Sequence, residues 1–144
     1  MTKQNNNSVW IYLLFPAVTM LLGWGLRGYI GGGPFGAMIP GAMLALSMAL
    51  LLKLSTETTA VLVVLSAIGI GLGGEMTYGQ TLGFLRSPET MWWGTLGITV
   101  KGAIWGLLGG IVLSLGFFYR KMAGRTLIIT FLLLLAGMLA GFKL

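Results

Sequence analysis

The chain consists of apolar runs long enough to cross a bilayer, joined by connections too short to build anything else. A hydrocarbon span needs about 20 mostly apolar residues in helical form. Five stretches meet or approach that length: Val9–Leu26, Phe35–Leu52, Thr59–Gly74, a stretch within Trp92–Phe118, and Thr126–Phe142. Inside hydrocarbon, backbone N–H and C=O groups must be bonded within the segment, so each run is confined to a helix. The expected fold is an all-α, polytopic transmembrane bundle of about five glycine-rich helices. It forms a single integral membrane domain over residues 1–144.

Composition points the same way. The chain is 56% hydrophobic and 8% charged, where a soluble domain carries about 25% charged residues. There is no cysteine, histidine or aspartate, and the acids are Glu57, Glu75 and Glu89. Disulfides, thiolate or histidine metal sites, cysteine nucleophiles and Ser-His-Asp triads are therefore excluded within one chain. No cofactor is expected, and the chain does not read as an enzyme. The net charge of +6 suits cytoplasmic loops facing anionic lipid better than nucleic acid.

"MTKQNNNSVW" is short and polar, and no A-x-A-like cleavage site follows the first apolar run. That run reads as a retained helix, not a signal peptide. Basic residues then set the orientation. Lys3, Lys53, Arg120, Lys121 and Arg125 collect on one side; Arg27, Arg86 and Lys143, with Lys101 nearby, collect on the other. The richer side is expected in the cytoplasm, which places the N-terminus there and the chain, as a multi-pass protein, in the plasma (inner) membrane. Trp10, Trp24, Trp92 and Trp93 lie near helix ends, as an aromatic belt requires.

The 24 glycines are spaced, not scattered. Gly69 and Gly73, then Gly102, Gly106 and Gly110, then Gly137 and Gly141, recur every four residues on the third, fourth and fifth helices. Such zippers let helix backbones approach closely, within one chain or between subunits. "WGLRGYIGGGPFGAMIPGAMLAL" from Trp24 also aligns with "WGTLGITVKGAIWGLLGGIVLSL" from Trp93, a hint of an internal repeat. Pro16 and Pro40 fall inside helices and should kink them.

Three charges stand outside the obvious loops. Arg27 closes the first helix, Glu75 the third, and Lys101 lies early in the fourth. In the expected topology all three reach the outer leaflet. A charge in hydrocarbon costs about 3 kcal/mol on insertion scales, so Glu75 is expected to pair with Arg27 or Lys101. Thr77, Tyr78, Gln80 and Thr81 follow Glu75. "GGGPFG" opens the second helix, with Pro34 suited to its first turn and free N–H groups that favour anions. "RSPET" reads as a loop in which Arg86 and Glu89 make a solvated pair of little value.

"GWGLRG", "GAMIPGA", "GGEMTYGQTLG" and "KGAIWG" together resemble a group of uncharacterised bacterial multi-spanning membrane proteins, over roughly residues 23–110. "MTYGQT" is the most specific part. No activity is established for that group, so the resemblance assigns no role to any residue. Its members are longer, which implies a short member or a part of a larger unit.

These readings lead to a small transporter or channel for an ion or solute. Arg27, Glu75, Tyr78, Gln80 and Lys101 are its candidate pathway residues. The alternative is an accessory subunit of a membrane complex, packing through its glycine faces. Either way the expected partners are the lipid bilayer and further membrane subunits, most simply copies of this chain.

Overall fold

A computed structural model describes residues 8–141, and the side chains among them outside 73–82 and 138–141. The fold is an all-α bundle. Its helices are α1 (Val9–Ile30), α2 (Gly33–Leu51), α3 (Thr56–Thr81), α4 (Met91–Phe118) and α5 (Gly124–Gly141). Short 3-10 turns, Leu82–Arg86 and Tyr119–Lys121, precede and follow α4. No strand occurs among the described residues. Among the described residues three helices are long and apolar enough to cross a membrane: α1, α2 and α4 with its 3-10 extension. The apolar parts of α3 (Thr56–Leu72) and α5 (Gly124–Gly137) are shorter among the described residues.

Two boundaries differ from the sequence expectation in ways that matter. α1 runs one turn past Leu26, so Arg27 sits in its last turn. α3 runs two turns past Gly74, so positions 75–81 are helical. No proline or positive-φ residue interrupts either extension, and the apolar pattern merely stops before the helix does.

The helix ends have local causes. Ser8 caps α1 by accepting from the Trp10 N–H. α1 stops at Gly31 (φ 145) and α2 begins at Gly33 (φ 77), left-handed values that glycine adopts without strain. Pro34 then fits the first turn of α2, where its missing N–H costs nothing. At the other end of α2 the Leu54 N–H donates to the Ala49 carbonyl at 3.0 Å and the Lys53 N–H to Leu50 at 3.3 Å. This is a Schellman termination, with Lys53 (φ 51) where glycine usually stands. Ser55 then caps α3 by accepting from the Thr58 N–H. Lys53→Gly should raise stability by about 1 kcal/mol by relieving left-handed strain. Thermal unfolding in detergent reads this, and a fall in the midpoint would refute it.

α1, α2, α3 and α4 lie side by side in that order. Among the described residues α5 lies against the crevice between α3 and α4, where Phe131, Leu134 and Leu135 line a small cavity with Ile68, Gly69 and Val112. The interior is made of small groups. Ala37, Ala45, Ala49, Ser47 and Ser66 are almost fully buried, and Leu62 is the largest side chain buried as deeply. Large apolar groups point outward instead, among them Leu21, Trp92 and Leu133. A water-soluble protein buries its large apolar side chains; this distribution suits a solvent of lipid tails.

Close backbone approach holds the row together. A Cβ on Gly23 would lie 2.5 Å from the Pro40 Cα, and one on Gly41 would lie 2.6 Å from the Ser66 carbonyl oxygen. Pro40 thus serves as a packing surface for α1. Hydroxyls add bonds across the same seams. Ser66 Oγ donates to the Gly41 carbonyl at 2.8 Å, and Thr19 Oγ1 lies 3.1 Å from Ser47 Oγ.

The glycine zippers are only partly used inside the chain. Gly69 meets Val112 as the spacing implies. On α4, however, a Cβ added at Gly102, Gly106 or Gly110 would meet nothing within 4 Å, and the same holds for Gly137 on α5. The face of α4 that packs on α3 carries Gly109, Val112 and Gly116 instead, against Ile70, Gly69 and Leu62. It is rotated by one residue, about 100°. Gly73 and Gly141 lie outside the described side chains. The internal repeat also has no structural counterpart. The segment from Trp24 breaks at Gly31–Gly32 between two helices, whereas the segment from Trp93 is one uninterrupted stretch of α4.

Candidate functional site

The α2–α3 and α4–α5 turns share one end of the bundle, where Glu57 of α3 and Arg120 form an exposed ion pair. Exposed pairs of this kind contribute little to stability. Lys53, Lys121 and Arg125 are exposed at the same end, as expected from the sequence, while Lys3 lies outside the described residues. The Lys121 ammonium lies 5.8 Å from the Phe118 ring and the Arg120 guanidinium 5.7 Å from Tyr119. At the opposite end, Arg86 and Glu89 are exposed and form no ion pair with each other.

The candidate site lies toward that opposite end and is built around two tryptophans. Trp24 of α1 and Trp105 of α4 meet edge to face, with centroids 5.2 Å apart and planes at 86°. The Trp105 Nε1–H donates to the Ile70 carbonyl of α3 at 3.0 Å, so three helices converge on one indole. Trp105 was not among the residues singled out from sequence. Trp24 is half-buried in this pair. The signal was present in the spacing. Trp24 and Arg27 are three residues apart, Lys101 and Trp105 four, and both separations place the pair on one helix face.

Arg27 covers the Trp24 ring. Its guanidinium carbon lies 4.9 Å from the Trp24 ring centroid, a favourable cation–π distance. Its stem packs against Gly36, where a Cβ would come within 3.0 Å of the Arg27 Cγ and 2.1 Å of the Gly31 carbonyl oxygen. The bare backbone of α2 therefore makes room for both the α1–α2 turn and the arginine. Placing the cation in the last turn of α1 also sets it against the negative end of the helix dipole. Lys101, likewise half-buried, sits one turn from Trp105 toward the same end.

Helix rise gives the relative levels. Measured from the Trp24–Trp105–Ile70 contact, Arg27 is about 4.5 Å, Lys101 about 6 Å and position 75 about 7.5 Å along the helix axes. By backbone position along their helices, 27, 75 and 101 lie within about 3 Å of one another in height. The side chains of Glu75, Tyr78 and Gln80 lie outside the described residues. Among the described residues no group of three or more His, Cys, Asp or Glu can hold a metal ion. Chemically, the arrangement offers a cation on an aromatic face from α1 and a second cation from α4, a helix that is not its neighbour in the row. No family model, curated protein or solved structure matches the chain.

Proposed function

We propose that this chain is a multi-pass plasma-membrane protein that moves a small ion or solute, with Arg27 and Lys101 lining its polar site. The observation that supports this reading is the meeting of Trp24 and Trp105, which sets a half-buried arginine of α1 and a half-buried lysine of α4 each about one turn from the same contact. Charged groups set among the helices of a membrane protein mark ion and substrate pathways. In this reading the basic end faces the cytoplasm, the N-terminus lies inside, and the Arg27 level belongs to the outer leaflet. Glu75, Tyr78 and Gln80 on the same stretch of α3 supply the remaining polar groups, and Glu75 couples protons or balances the two cations.

Flux in proteoliposomes tests this, with a panel of small anions, cations and protons. Arg27→Gln and Glu75→Gln should each change the flux at least about tenfold while the protein still folds, as for a charge in direct contact with the moving ion. Absence of flux for every solute, or flux indifferent to both changes, would reject the reading.

A second reading, an accessory subunit without transport of its own, draws on α4. Gly102, Gly106 and Gly110 open onto free space. The hydroxyls of Thr95, Thr99 and Ser114 fold back onto carbonyls of their own helix, which leaves that side of α4 smooth. Helices in lipid associate through such surfaces.

A further inference from the structure

The two helix hairpins end at different heights. From the Trp24–Trp105 contact, α1 continues six residues to Ile30, whereas α4 extends fourteen residues back to Met91. At 1.5 Å per residue these are about 9 Å and about 21 Å, an offset of about 12 Å before helix tilt. α3 agrees independently. A Cβ on Gly71 would lie 3.0 Å from the Pro34 carbonyl in the first turn of α2. α3 then runs ten residues further to Thr81, about 15 Å beyond that level.

Each tip carries its own exposed aromatic residues. Tyr29 (92% exposed) and Phe35 (81%) flank the α1–α2 turn, and Trp92 (79%) and Trp93 (72%) begin α4. Aromatic residues of this kind settle at the headgroup level. The lower turn also contains exposed Gly31 and Gly32, whose backbone is not helical. Irregular backbone facing lipid tails leaves polar groups unsatisfied and is not found in hydrocarbon.

We propose that the bilayer meets this end of the protein at two heights, with headgroups and water lying lower over the α1–α2 turn than around the α3–α4 tip. The inference rests on the membrane placement proposed above. α1 and α2 cross with shorter hydrophobic lengths than α4 with its 3-10 extension, and a bilayer adapts its local thickness to such a difference. Here it forms a notch on one side of the molecule, bounded by the taller α3–α4 hairpin. The notch lowers the polar boundary to the neighbourhood of Arg27 and Lys101. The polar site thereby opens sideways into the headgroup layer.

The chain has no cysteine, so single cysteines report cleanly. Gly32→Cys and Gly83→Cys place a side chain where a Cβ meets nothing within 4 Å, one at each tip. Leu21→Cys, at a position 71% exposed in mid-helix, is the tail-level reference. Each is reconstituted in phosphatidylcholine nanodiscs and treated with a membrane-impermeant maleimide. Gly32→Cys and Gly83→Cys should label within about tenfold of each other, and both at least about a hundredfold faster than Leu21→Cys, since only hydrated positions react. A Gly32→Cys protected like Leu21→Cys, beside a reactive Gly83→Cys, overturns the proposal. If that protection is lost at one chain per disc, a second copy covers the turn; if it persists, lipid tails do. Rapid labelling of Leu21→Cys would remove the membrane placement and the notch together. Labelling does not depend on flux, so the transport reading can fail while the notch stands.

Discussion

Replacing Gly41 by alanine should open the α2–α3 seam, while the same change at Gly106 leaves the monomer intact. At Gly41 the new methyl would lie 2.6 Å from the Ser66 carbonyl oxygen and 3.0 Å from the Ile70 Cβ. Neither atom is the end of a flexible side chain, so the helices themselves must separate. Separation also breaks the bond from Ser66 Oγ to the Gly41 carbonyl. Overpacking of this type costs about 1–3 kcal/mol, and the loss of a buried hydrogen bond adds about 1 kcal/mol. At Gly106 the added methyl meets nothing within 4 Å, and alanine is the better helix former by about 1 kcal/mol. Thermal unfolding in detergent should therefore show a midpoint lowered by several degrees for Gly41→Ala and an unchanged or raised midpoint for Gly106→Ala. Equal effects would mean that the assigned contact face of α4 is wrong. Cross-linking of the Gly106→Leu variant adds a separate readout. If it loses a dimer that the parent forms, without loss of monomer stability, the open glycine face belongs to an assembly.

Trp105 should be the most costly side chain to truncate near the polar site. It packs edge to face on Trp24 and donates its N–H to Ile70, so it ties α4 to both α1 and α3. Trp105→Ala should destabilise by about 3–5 kcal/mol, a typical cost for a large aromatic cavity. Trp105→Phe keeps a ring against Trp24 and gives up the N–H bond, which should cost about 1 kcal/mol. The order of the two unfolding midpoints checks this. A Trp105→Ala variant as stable as Trp105→Phe would show that the contact is peripheral. Because Arg27 stacks on the other tryptophan of the pair, Trp105→Ala should also perturb any flux that depends on Arg27, and Trp105→Phe much less.

The level of the charged positions was legible in the sequence, because it needs only helix direction and rise. Arg27, Glu75 and Lys101 each lie a fixed number of residues from a helix end, and up–down connectivity puts those ends together. The partners of Arg27 were not legible. Trp24 near a helix end looks like an interfacial anchor, and nothing local says that Trp105, 81 positions later, will meet it. The glycine faces show the same limit. From residue 102 onward α4 has glycine at 102, 106, 109, 110 and 116, enough for two adjacent stripes, and regular spacing favoured the one that stays open.

The amino-acid sequence by itself determined the solvent, the secondary structure and the chemistry available. Apolar runs with 8% charge leave only helices in lipid, and the absence of Cys, His and Asp removes whole classes of reaction. Those conclusions hold residue by residue, since each apolar segment must satisfy its own backbone. Only the tertiary structure decided which face of each helix is interior, that Gly36 clears space for Arg27, and that the two hairpins end at different heights. In lipid, apolar side chains gain little by being inside or outside, so hydrophobicity does not choose the face. The choice falls to shape: which glycine meets which carbonyl, valine or proline, and how closely two backbones can then approach.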